Sequence, residues 1–150
     1  MEVATYQAAT KLHMLRLDAG EDILEGVLNF IAKEGIQDAV LVSGIGTVDQ
    51  CCMHFVTTIT DPTQMEFKKW TDTPLEVASI GGIIANGDPH LHMVVSTTEE
   101  AWAGHLEPGC RTLYLCELMF METPGFDLIR KPKNTDKTHT DFAIKMLMRK

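Results

Sequence analysis

The sequence predicts an α+β fold: a curved, mostly antiparallel β-sheet with one helix packed on it near the N-terminus. Three observations carry that reading. A single amphipathic helical pattern stands near the start. Many short β-rich segments follow it. No further helical patterns alternate with those segments, which argues against a wound parallel sheet.

Residues 12–17, Leu-His-Met-Leu-Arg-Leu, read as a first strand with partial alternation. Asp18 followed three residues later by Glu21 resembles a capping box, the start of a helix. Ile23, Leu24, Val27, Leu28, Ile31 and Ala32 then recur at three- and four-residue spacing and make one apolar face. Glu21, Glu25, Asn29 and Lys33 fall on the other side, and Gly35 is placed to end the helix in a left-handed cap.

Residues 39–43 form a short apolar strand, and Gly44-Ile45-Gly46 predicts a bulge or tight bend after it. A strand over 48–59 would put His54, Val56 and Thr58 on one face. Asp61-Pro62 marks a turn. Strands follow over 66–70 and 75–85, the second interrupted by Gly81-Gly82. Asn86-Gly87-Asp88-Pro89 is turn chemistry. Residues 90–96 make another strand, and 111–122 a long one ended by Pro124-Gly125.

A length of 150 residues fits one domain, 1–150, whose folding buries roughly two-thirds of the unfolded chain's surface. The net charge of −8 argues against a broad basic surface for nucleic acid or anionic lipid. No apolar run approaches the roughly 20 residues that span a bilayer, and the first residues lack the pattern of a secretory signal. The expectation is a cytoplasmic protein that does not enter membranes. Cys51, Cys52, Cys110 and Cys116 match no zinc-ribbon or redox spacing and read as reduced core thiols. From Pro124 onward the chain carries seven Lys/Arg against three Asp, a balance of +4, so the preceding 123 residues carry −12. This basic tail, with Phe142, Ile144, Met146, Leu147 and Met148, reads as a peripheral segment or short helix rather than a nucleic-acid arm.

Six histidines occur, and three lie close in sequence, in His90-Leu91-His92 and Gly104-His105-Leu106. On a strand, residues two apart point to the same face. His90 and His92 therefore project together, roughly 6–7 Å apart along the backbone, and can converge on one ion. A third ligand from a nearby loop would complete a site with one coordination position open. Gly104 permits close backbone approach beside His105. His13, His54 and His139 have no partner at ligand spacing and read as ordinary.

Five segments, in order, resemble a known family. They are Gly20-Glu21-Asp22-Ile23-Leu24, Val42-Ser43-Gly44-Ile45-Gly46-Thr47-Val48, Leu75-Glu76-Val77-Ala78-Ser79-Ile80-Gly81-Gly82, Asp88-Pro89-His90-Leu91-His92-Met93 and Gly104-His105-Leu106. Together they resemble the PPC domain (plant- and prokaryote-conserved) over a core of about residues 11–122, with 123–150 as a tail outside the resemblance. The resemblance implies a curved antiparallel sheet with a packed helix, a homotrimer, and zinc or another divalent transition metal held by His90, His92 and His105. Plant members carry Arg-Gly-Arg-Pro hooks that bind A·T-rich DNA. This sequence has none, so it resembles the stand-alone prokaryotic type, DNA-binding by family label only. The same fold resembles acetolactate decarboxylase, an analogy of fold rather than of reaction.

Three functions compete. The first is a metal-binding module that takes a small ligand or serves in regulation. The second is a zinc-dependent enzyme acting on a small carbonyl or carboxylate substrate. For that role Glu117 is the candidate acid–base and Arg111 the candidate anion-binding cation, both on the strand after His105, with Arg16 a weaker alternative. As ordinary residues they would be a sheet carboxylate and a solvated ion pair. The third is a DNA-associated protein. Nine methionines and the apolar run 113–121 also give more sheet surface than one helix covers, which fits association of copies.

Overall fold

The computed structural model describes residues 10–60, 63–132 and 145–150. Strand β1 (Leu12–Asp18) leads into a turn in which the Glu21 N–H donates to the Asp18 carbonyl at 3.2 Å and the Asp18 N–H to the Glu21 carboxylate at 2.6 Å. Asp18 is still paired in the sheet, opposite Leu115, so it does not cap the helix. Helix α1 (Ile23–Glu34) begins later, at Asp22, whose Oδ1 accepts from the Glu25 N–H at 3.0 Å. Gly35 ends it in the left-handed region, at φ 69°. Ile23, Val27 and Ile31 are buried against the sheet, as their spacing predicts. Each such aliphatic side chain contributes about 1.5–3 kcal/mol when fully buried.

Where the sequence suggests two strands around Gly44-Ile45-Gly46, there is one, β2 (Ala39–Val56), of 18 residues. The glycines bend it without ending it. Its register against β7 (Arg111–Glu122) shifts between Leu41 and Ser43 and twice more between Gly46 and Gln50. A Cβ on Gly46 would lie 2.4 Å from the Leu115 carbonyl oxygen, so only glycine permits that approach. The bending lets one strand serve two neighbourhoods. Its first part pairs with β7 and β4 (Leu75–Ala85), its last part with β3 (Met65–Trp70) and β6 (Ala101–Leu106).

β4 runs unbroken through Gly81-Gly82 and turns into β5 (Asp88–Ser96). Asn86 at φ 54° and Gly87 at φ 75° form the two-residue hairpin turn that the sequence announces. The strand order is β1-β7-β2-β4-β5-β6, with β3 on β2 and β6 returning to pair with β2. The sheet thus curls on itself around Met53, Ile80, Leu91, Met93 and Leu106, all buried. The four cysteines are buried free thiols, as expected.

Of the two forms expected for the tail, its described part takes that of a peripheral segment. Its described part is a second, two-stranded antiparallel sheet of β8 (Leu128–Pro132) and β9 (Lys145–Arg149), with Ile129 opposite Met148. In these two described stretches the backbone groups are paired across strands rather than along a helix. His139, Phe142 and Ile144 lie outside the described residues. Buried Asp38 ties this tail to the hairpin turn, accepting from the Asn86 N–H and the Leu128 N–H, each at 3.0 Å. Among the described residues no helix is long and apolar enough to cross a membrane.

Candidate metal centre

Alternation along β5 buries Leu91 and Met93 and turns His90 and His92 to the opposite face. Their Nε2 atoms lie 3.1 Å apart. Two nitrogens bound to one tetrahedral zinc are separated by about 3.3 Å, given zinc–nitrogen bonds of about 2.0–2.1 Å.

His105 sits on strand β6, not on the loop expected from the sequence. Register places it opposite His92 on one side and His54 on the other. Residues from β5, β6 and β2 therefore form one row of imidazoles, with His90 two positions along. The His105 ring meets His90 and His92 edge-on, with centroids 4.9 and 5.4 Å away, and stacks on His54 at 4.4 Å. The row depends on Gly104. A Cβ there would lie 2.9 Å from the His54 carbonyl oxygen and 3.1 Å from the Phe55 ring.

Glu107 organises the far side of the row. Its Oε1 lies 2.6 Å from His54 Nδ1 and 2.9 Å from His105 Nδ1. A carboxylate only accepts, so both rings donate from Nδ1, which leaves the Nε2 of His105 for the row. This is the orienting contact that metal-binding histidines commonly have. Among the described residues, the group of three donor side chains whose ligand atoms all fall within 4.8 Å of one another is His54, His105 and Glu107. Because the Glu107 oxygen already serves two imidazoles, its geometry suits orientation better than ligation.

Burial lowers the basicity of all three expected ligands. For His90 it is the largest cause, with the nearby His105, Arg130 and His92 adding to it, and the pKa falls to about 4. Burial also lowers the pKa of His92 and of His105, and the neighbouring His54 lowers both further. At neutral pH these rings are uncharged and their lone pairs are available to a cation.

The imidazoles line a cavity of about 730 Å³ with an apolar wall that includes Val56, Ile59 and Met65. Arg130 and Lys145 from the tail also line it. Glu117 and Arg111 do not. Arg111 forms a bidentate pair with Asp49, at 2.8 and 2.7 Å, and Glu117 is exposed opposite Arg16 on β1. Arg16 itself pairs with Asp18 at 3.0 Å.

Sequence reasoning misses His54, Glu107 and Arg130 as members of this site. For Glu107 a signal is available, since His105 and Glu107 stand two apart. For His54 the signal is the β2–β6 register, which joins residues 51 positions apart.

A sequence model of the Plants and Prokaryotes Conserved (PCC) domain matches residues 4–124. A bifunctional protein GlmU from a Synechococcus strain is 24% identical over 123 residues, which cover 81% of this chain but 18% of that protein. The chain thus spans under a fifth of that curated relative's length. A plant- and prokaryote-conserved protein from Pyrococcus horikoshii is 25% identical, with a TM-score of 0.72 over 87% of this chain and 92% of that one. A metal-containing protein from Archaeoglobus fulgidus is also 25% identical, with a TM-score of 0.67 over 81% and 85%. A candidate DNA-binding protein from Bacteroides thetaiotaomicron shares the fold at 17% identity, with a TM-score of 0.72 over 96% of each chain.

Proposed function

Because this chain belongs to the Plants and Prokaryotes Conserved domain family, we propose that it binds one divalent transition metal, zinc in the first instance, through His90, His92 and His105. The supporting observation is the meeting of these three rings on one face, with the His105 tautomer set by Glu107. The donor chemistry fits, since three neutral imidazoles suit zinc and leave a fourth position for a ligand. The metal-containing Archaeoglobus neighbour points the same way. The site serves to bind a small ligand or to regulate. Elemental analysis of protein purified without a histidine tag should find close to one zinc per chain. A wild type that carries no metal and takes none up sinks the proposal.

The cavity beside the imidazoles favours a second reading, a zinc-dependent enzyme acting on a small carbonyl or carboxylate compound. Bound zinc would supply Lewis acidity to such a group. Turnover lost on chelation and restored by zinc is the outcome that separates enzyme from binding module. Direct DNA binding fits less well with a net charge of −8. It requires an affinity that falls with salt in a gel-shift assay. We also propose a homotrimer, because Leu12, Met14, Val42, Ile45 and Tyr114 are exposed apolar residues on β1, β2 and β7 that partners would cover. Light scattering at three chain masses tests it.

A further inference from the structure

Arg130 lies beyond residue 124, where the family match ends. Its side chain is only 7% exposed. Nη1 donates to the Asp88 carbonyl at 2.5 Å and Nη2 to the Ile83 carbonyl at 2.7 Å, which fastens β8 to the β4–β5 hairpin. These bonds use two of the guanidinium's five N–H donors. They do not neutralise its charge. The Asp88 carboxylate stands 3.9 Å away, beyond hydrogen-bond distance, and is 55% exposed. The Asp88 carboxylate is thus a counter-ion at ion-pair distance that makes no hydrogen bond to the guanidinium. A nearly buried charge so loosely paired is costly to hold, and this one forms part of the cavity wall beside His90.

Lys145, on β9, lines the same cavity. Among the described residues the lining carboxylates are Asp88 and Glu107, and Glu107 is engaged by two imidazoles. These four formal charges of the wall therefore cancel, and a divalent ion at the histidines makes the cavity cationic.

We infer that Arg130 and Lys145 form an anion subsite, which takes the carboxylate or phosphate group of a small ligand whose other end lies at the histidines. This inference rests on the metal reading and adds the ligand class to it. A nearly buried guanidinium with free donors suits a planar carboxylate or a phosphate oxygen. The cavity, about 730 Å³, is of the size that small-molecule ligands occupy. The subsite also accounts for the basic tail, which supplies the cations that the domain core does not place at the histidines.

The test is calorimetric titration of the full chain, zinc-loaded and at low salt, with pyruvate in one arm and inorganic phosphate in the other. Saturable binding in either arm is expected, and the tighter arm identifies the group. Arg130→Gln should weaken it about tenfold or more, as loss of a charge-assisted pair does. Arg130→Lys should keep most of it. The more exposed Lys145→Gln should weaken it about threefold. If Arg130→Gln does not fold, Lys145→Gln decides, and wild-type affinity in that variant overturns the subsite. Wild-type affinity in Arg130→Gln, or no binding of either anion by zinc-loaded protein, overturns the subsite. If the protein takes up no zinc, the metal reading fails by itself. The subsite is then judged on metal-free protein, where an Arg130-dependent, salt-sensitive affinity supports it and equal affinity of wild type and Arg130→Gln overturns it.

Discussion

The pairing of His13 with Glu122 and the pairing of His105 with Glu107 are alike at the level of one hydrogen bond, 2.8 and 2.9 Å long. Burial hardly separates them: side-chain exposures are 14 and 23% in the first pair, 24 and 21% in the second. What differs is the far side of each ring. His13 meets the edge of Phe30, which packs on Phe120, so the imidazole is one more wall of the core. His105 meets two further imidazoles and a cavity. A histidine–carboxylate pair is thus a common structural unit, and it becomes a candidate site only when the remaining nitrogen faces other donors and open space.

The comparison breaks most sharply on metal content. His92→Ala removes one of two nitrogens 3.1 Å apart and should reduce bound zinc from about one per chain to nearly none. His13→Ala should leave metal content unchanged. Equal zinc in both variants removes the distinction between the pairs. Next in size is the carboxylate exchange. Glu107→Gln retains the shape but loses the acceptor that holds two Nδ1–H groups, and should lower zinc affinity about 10–100-fold in competition with a chelator. Glu122→Gln should not change zinc affinity and should cost about 1 kcal/mol of stability. If Glu107→Gln binds zinc as tightly as wild type, Glu107 does not orient the site.

How much of this is legible in the sequence depends on distance along the chain. The helix face, the Asn86-Gly87 turn and the common direction of His90 and His92 are local consequences of period and turn chemistry, and they stand as read. The capping residue is not local in this sense, because Asp18, a good local cap, is committed to β7 by a long-range pairing. β2 reads as two strands because glycines that bend a strand look, in one dimension, like glycines that end it. His54 reads as ordinary for the same kind of reason, since its neighbour at the site is set by register. In the tail, charge and apolar content are visible. Charge does not report that Arg130 reaches two carbonyls on the β4–β5 hairpin.

The smallest expected effect is on pH dependence, and it sharpens the comparison because the two regions titrate in different windows. In metal-free protein, burial lowers the pKa of His90 from 6.5 to about 4 and also lowers those of His92 and His105. A depressed histidine pKa means that the unfolded chain takes up protons first. The stability held by the neutral rings is complete above about pH 6.5 and is lost as pH falls towards 4. Glu122 behaves differently. The His13 hydrogen bond is the largest cause that lowers its pKa below 4.5, so its contribution is complete above that value and is lost only in stronger acid. Thermal midpoints of chelator-treated protein should therefore fall by a few degrees between pH 6.5 and 4, a modest change because the rings retain solvent access. His90→Gln should flatten that window and leave the more acidic one intact, while Glu122→Gln should do the reverse. Zinc should protect the upper window alone, since protons and metal compete for the same lone pairs. A midpoint that falls equally in both variants over both windows would mean that acid acts on the whole surface charge, and that neither pair is its point of entry.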